Sequence, residues 1–143
     1  MIIREYRSTD YSQIEELWKR TGIYTAERGD TGLSIERCIR YGGKFLVLED
    51  TVSGKVAGTS WMTFDGRRVH LHHFAVAPEF QGKGLGRLLA RESLKFPDEL
   101  GCPVKLEVHR DNLPAVHLYK SLGFACFEDY EVYMNLDPGA SLT

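Results

Sequence analysis

Apolar and polar positions along the chain change their period several times, and each change marks a predicted element. Ile2–Arg7 fits a first strand. Asp10 followed by Gln13 resembles a capping box. Ile14, Leu17 and Trp18 then recur at helical spacing and predict a helix over Asp10–Arg20. Thr21–Leu33 holds Gly22, Gly29 and Gly32 and reads as a loop. Ser34 is placed to cap a short helix through Tyr41, with Ile35, Cys38 and Ile39 on one face and Gly42-Gly43 ending it. Lys44–Asp50 and Lys55–Phe64 flank the turn Thr51-Val52-Ser53-Gly54 and predict a hairpin. Asp65-Gly66 is a second turn signal, and Val69–Val76 continues the meander. Apolar residues at 85, 88, 89 and 94 predict a helix, Gly101-Cys102-Pro103 a turn and Val104–Val108 a short strand. A helix over Asn112–Leu122, ended by Gly123, and strands over Phe124–Phe127 and Val132–Leu136 complete the pattern.

The predicted order is β-α-α-β-β-β-α-β-α-β-β. Tight turns early in the chain imply antiparallel pairing, and the helix between Val76 and Val104 implies a crossover with one parallel pair. The expected fold class is α/β (α+β): a single mixed, mostly antiparallel sheet flanked by helices. Residues 1–137 read as one domain and residues 138–143 as a disordered tail.

Composition narrows the functions open to such a domain. The chain has 143 residues, 43% hydrophobic and 27% charged, with a formal charge of −2. It carries no basic stripe, so nucleic acid is not the expected partner. The three cysteines, Cys38, Cys102 and Cys126, are odd in number and widely spaced, which fits buried thiols in a reducing compartment. No apolar run suits a signal peptide or a membrane span, so the expected location is cytoplasmic.

The sharpest chemical signal is residues 76–89, VAPEFQGKGLGRLL, where a strand runs through Pro78 into Gly82, Gly84 and Gly86 and then a helix. Glycines let the backbone turn and a ligand approach closely. A helix start adds unpaired N–H donors and partial positive charge, and together these suit a phosphate. Lys83 and Arg87 add charge at the rim. A P-loop is excluded because Gly86 is followed by Arg87-Leu88 rather than Lys-Ser or Lys-Thr. A dinucleotide fingerprint is excluded by the glycine spacing and by the preceding meander.

The run Phe74-Ala75-Val76 followed by Gln81-Gly82-Lys83-Gly84-Leu85-Gly86 resembles the signature of the GNAT family of N-acetyltransferases. The segment from Asn112 through Ala115 and Tyr119 to Gly123-Phe124 is similar to that family's second motif. The resemblance spans nearly the whole chain and implies the GNAT-like acyl-CoA N-acyltransferase fold. It implies acetyl-CoA as co-substrate, with its pyrophosphate wrapped by the amides from Gly82 to Arg87 and with Asn112 at its pantetheine or phosphate region. It also implies the Phe74 amide as oxyanion donor and the Tyr119 hydroxyl near the sulfur, where an O–H serves the departing thiolate.

An acceptor amine must lose a proton before it attacks. The string His70-Leu71-His72-His73-Phe74-Ala75-Val76 resembles the corresponding strand of arylalkylamine N-acetyltransferases, which implies proton removal by paired histidines. Strand alternation puts His70, His72, Phe74 and Val76 on one face and Leu71, His73 and Ala75 on the other. His72 is then the better base and His70 its relay, with Glu107 on the next strand as an alternative. No cysteine or carboxylate lies near enough in sequence to complete a metal shell. The acceptor loops are Thr21–Leu33, with Tyr24, Glu27 and Asp30, and Trp61–Arg68, with Asp65, whose acidic residues are placed to draw a cationic amine, although loop carboxylates are more often simply solvated. The expected activity is acetyl transfer from acetyl-CoA to the primary amine of a small molecule. A protein α-amine or lysine and a non-catalytic acyl-CoA-binding module are the alternatives, and a homodimer is left open.

Overall fold

The computed structural model describes residues 1–142. Its sheet has five strands in the order of the chain: β1 Ile2–Glu5, β2 Lys44–Asp50, β3 Lys55–Phe64, β4 Val69–Val76 and β5 Val104–Leu106. Pairing is antiparallel from β1 to β4 and parallel between β4 and β5. The helices are α1 Tyr11–Thr21, α2 Gly32–Arg40, α3 Leu85–Leu100 and α4 Leu113–Ser121. The chain divides into two compact units, one over Met1–Glu107 and the other from Val108 onward.

In the first unit α1 and α2 cover one face of the sheet. Ile14, Leu17, Trp18 and Ile35 meet Phe45, Val47, Trp61 and Ala77 in a buried core. Trp18 and Trp61 stack with ring centroids 5.8 Å apart. The helix α3 lies against β2, β3 and β4. Its Ser93 hydroxyl is 2.7 Å from that of Ser60 and donates to the Leu89 carbonyl at 2.8 Å, so this buried polar pair is satisfied where helix meets sheet.

The helix starts differ from the predicted caps. Asp10 lies in a 3-10 turn, Ser8–Asp10, and its carboxylate takes two bonds from Arg4 and one from the Arg7 amide. Gln13 accepts from the Val56 amide instead of closing a capping box. For α2 the cap is Thr31, whose hydroxyl oxygen accepts the Ser34 amide at 3.1 Å.

In the second unit α4 is capped by Asn112, and Gly123, at φ 93°, follows its last turn. The strands expected over Phe124–Phe127 and Val132–Leu136 do not form. Those segments are apolar enough, but a strand needs a neighbouring ladder for its amides and carbonyls, and neither has one. Pro138–Leu142 forms a 3-10 turn, with Asp137 accepting the Ala140 amide; Thr143 lies outside the described residues.

Candidate active site

β4 carries the chemistry, and its geometry turns on one irregularity. Thr59 pairs with Ala75 and Trp61 with His72, so three steps along β4 match two along β3. The extra residue is a β-bulge around His73, which sits at φ 44°. Two hydrogen bonds pin it. The Trp18 indole donates to the Thr59 hydroxyl at 2.9 Å, and that hydroxyl donates to the His73 carbonyl at 2.8 Å.

The bulge overturns the simple alternation. Paired residues share a face, so His70 and His72 stand with their partners Thr63 and Trp61 on the α1–α2 side. His73 joins them there, with its ring 4.4 Å from Trp18 and 5.3 Å from Trp61. Val76, paired with Gly58, falls on the opposite side from these three histidines, and Phe74 alternates with Ala75 to that side too. The predicted grouping of His70 and His72 with Phe74 and Val76, and of His73 with Leu71, is therefore corrected. The inserted residue resets the parity halfway along the strand.

The histidines occupy graded environments. The rings of His70 and His72 lie 3.9 Å apart. His72 Nε2 is 3.0 Å from the Thr63 hydroxyl. Burial, and then the neighbouring His70, His73 and Lys105, push the His72 pKa down to about 3. His70 is lowered by burial too, although Glu107, 3.9 Å away, pulls the other way. Both rings are thus neutral near pH 7. His73 Nε2 lies 2.9 Å from Asp30 Oδ1. Asp30 is buried in the α1–α2 loop and is held there as its carboxylate accepts the Thr25 amide and its carbonyl accepts the Tyr11 hydroxyl. This loop-to-bulge link was hidden in the sequence, because alternation aimed His73 the wrong way.

Beyond Val76 the chain makes a 3-10 turn, Pro78–Phe80, and Gln81 folds back to donate to the Val76 carbonyl at 2.8 Å. Gly82 and Gly84 follow at φ 73° and 78°, and Gly84 is the N-cap of α3. A Cβ built on either glycine meets nothing within 4 Å, so the space in front of this turn is open. Lys83 Nζ stands 5.7 Å from the Phe80 ring, and Leu85, Gly86 and Arg87 open the helix, the end of a helix that offers amide donors to a ligand. Donors, dipole and room suit the diphosphate of a coenzyme A thioester.

Within the second unit Tyr119 is buried on α4, and its ring meets Phe124 edge-on at 5.6 Å. Burial raises its pKa to about 12, so the hydroxyl keeps its proton at neutral pH. Asn112 spends its side-chain oxygen on the Ala115 amide at 3.4 Å, a capping role that its spacing alone did not reveal. Among the described residues there is no cluster of three or more His, Cys, Asp or Glu side chains arranged to hold a metal, and no helix is long and apolar enough to cross a membrane.

A meander entering a glycine turn and a crossover helix defines an acyl-CoA N-acyltransferase fold. The chain belongs to the acetyltransferase (GNAT) family, which it matches over residues 10–124. It is an acetyl-CoA-dependent N-acetyltransferase. Similar solved structures include a Staphylococcus aureus GNAT acetyltransferase, at TM-score 0.78 and 17% identity, with 94% of this chain and 92% of that one covered. The Arabidopsis thaliana glucosamine-6-phosphate N-acetyltransferase aligns at TM-score 0.72 and 22% identity, with 94% and 95% covered. The Escherichia coli ribosomal-protein-S18-alanine N-acetyltransferase aligns at TM-score 0.71 and 24% identity, with 85% and 76% covered. At these identities the likeness is one of fold.

Proposed function

We propose that this acetyltransferase acts on the primary amine of a small molecule, by direct attack on the thioester while both substrates are bound. The observation that carries this reading is the set of three histidines gathered by the bulge on the α1–α2 face, with the acceptor loop tied over them by the Asp30–His73 link. A loop fastened down in this way favours a confined amine over an extended polypeptide laid across the sheet.

Acetyl-CoA supplies the activated acyl group. Gln81, Gly82, Lys83, Gly84, Leu85, Gly86 and Arg87 are assigned to its diphosphate, and Phe74, Ala75, Val76, Asn112 and Ala115 to the rest of its length by the family motif. The new N–C bond forms as the C–S bond breaks. His72 takes the ammonium proton. His70, whose ring packs on His72 with centroids 3.9 Å apart, is assigned as its relay through water, with Glu107 3.9 Å beyond it. The motif assigns Tyr119 to the departing thiolate, and its high pKa keeps the needed proton on the oxygen.

The test is thiol release from acetyl-CoA with a panel of small amines and of peptides bearing a free α-amine or lysine. Turnover is expected with small amines, and Tyr119→Phe is expected to lower kcat by about 10- to 100-fold while leaving CoA affinity intact. Turnover confined to the peptides would refute the small-molecule reading, and an unaltered kcat in the variant would remove Tyr119 as the acid.

A further inference from the structure

From the arrangement at the turn end of the β3–β4 hairpin, and resting on the amine-acetylation reading above, we infer that the acceptor carries an anionic group, a phosphate or a carboxylate, bound in a cleft beside His70. The cleft has a volume of about 150 Å³ and is lined by Thr63, Asp65, Arg67, Arg68, His70 and Lys105. It lies wholly within the first unit. Thr63, His70 and Lys105 form one row across β3, β4 and β5, since Thr63 pairs with His70 and His70 with Lys105. Trp61 and His72 form the next row along the strands. Rows on one face are two residues apart, about 7 Å.

The charge balance of the cleft decides what it accepts. Its one carboxylate, Asp65, is already engaged. Its Oδ1 accepts the amides of Arg67 at 2.9 Å and Arg68 at 2.8 Å, and its Oδ2 is 3.5 Å from Arg67 Nε. Those backbone bonds hold Asp65 ionised and turned into its own hairpin. The Arg68 guanidinium and the Lys105 ammonium form no ion pair among the described residues. Glu107, the other nearby acid, faces His70 rather than lining the cleft. Two cations without counter-ions, a third only partly offset, and a threonine hydroxyl therefore converge on one small concavity. A phosphate or carboxylate answers that set of donors, and a cationic group does not. The expectation that Asp65 draws a cationic amine thus gives way to the opposite sign. An anion anchored here leaves the far end of a small molecule within about one row of His72, which orients the amine towards the neutral imidazole.

Two measurements test this. In the first, inorganic phosphate is titrated into the protein while the histidine ring resonances are followed by NMR. The His70 signals are expected to shift saturably in the wild type and to lose that response in the double variant Arg68→Gln, Lys105→Gln, with Arg68→Lys retaining it. Phosphate seated only at the glycine turn leaves His70 unmoved, and that result overturns the inference. In the second, kcat/KM is compared within matched acceptors, phosphoethanolamine against ethanolamine and 4-aminobutyrate against its amide. A preference of at least tenfold for one anionic member, collapsing towards unity in the double variant, supports the subsite and tells phosphate from carboxylate. Equal rates within both pairs, or a preference untouched by the variant, overturn it. No thiol release with any amine alongside a variant-sensitive phosphate shift would sink the acetylation reading and leave the anion site standing.

Discussion

His72 stands in surroundings far from those of a free side chain. Its ring is enclosed by His70, His73 and Lys105 and touches the Thr63 hydroxyl, with Glu107 beyond His70. In an unfolded chain an imidazole titrates at about 6.5, whereas here it is lowered to about 3. Between those values the unfolded state binds more protons, so stability is full above the unfolded pKa and is lost as pH falls towards the folded one. His70 is shifted in the same direction. Thermal melts from pH 7.5 to pH 4 are therefore expected to drop more steeply for the wild type than for His72→Gln. The difference should reach no more than about 3 kcal/mol, and carboxylates shared by the two proteins cancel in the comparison. Parallel pH profiles would show that His72 is not held neutral by the fold.

At the scale of elements the bulge and the glycine turn are two departures from regular structure on one strand and its sequel. The bulge rests on Thr59, fully buried, which accepts from Trp18 and donates to His73. Thr59→Val keeps the shape and removes both bonds, leaving a buried indole N–H and a strand carbonyl without their partner. A loss of about 2–4 kcal/mol is expected in urea unfolding, and a loss below about 0.5 kcal/mol would mean that the bulge holds by other means. At Gly84 the left-handed φ of 78° costs a substituted residue about 1–2 kcal/mol. A new Cβ there touches no protein atom, so any loss of CoA affinity beyond the folding defect comes from filling the seat. Calorimetry on folded Gly84→Val is expected to show CoA binding weakened at least tenfold, and an unchanged affinity would move the diphosphate elsewhere. These elements also mark where the sequence was legible. The meander, the crossover and the glycine turn are written in periods and turn residues that act locally. The bulge is not, because a single inserted residue at His73 leaves no mark on an apolar-polar count, yet it reverses the face of everything beyond it. Arg68 and Lys105 were missed for a related reason, since only cross-strand register brings a hairpin residue beside one from a strand after the crossover.

Across the whole molecule the backbone is secured unevenly. In the first unit β2 and β3 are interior strands with ladders on both sides, and their residues from Phe45 to Leu48 and from Ala57 to Met62 are almost entirely buried. In the second unit Phe127, Tyr130, Val132 and Tyr133 are exposed on backbone outside any helix or strand. Amide exchange follows the free energy of opening, so the interior strands are expected to exchange slowest and the stretch from Phe127 to Leu136 among the fastest. The glycine turn lies between these extremes. Its Gln81 amide is tied to the Pro78 carbonyl, and the head of α3 is the end of a helix that offers amide donors to a ligand. A diphosphate accepting those amides adds protection just there, and little at the interior strands, which are slow already. Hydrogen exchange with saturating CoA should thus slow residues 82–87 by at least tenfold and leave Phe45–Leu48 unaltered. Protection spread evenly over the first unit would indicate general stabilisation by binding elsewhere. Protection absent from the turn in a protein that demonstrably binds CoA would displace the cofactor from the head of α3, and the acetyl group with it from the histidines of β4.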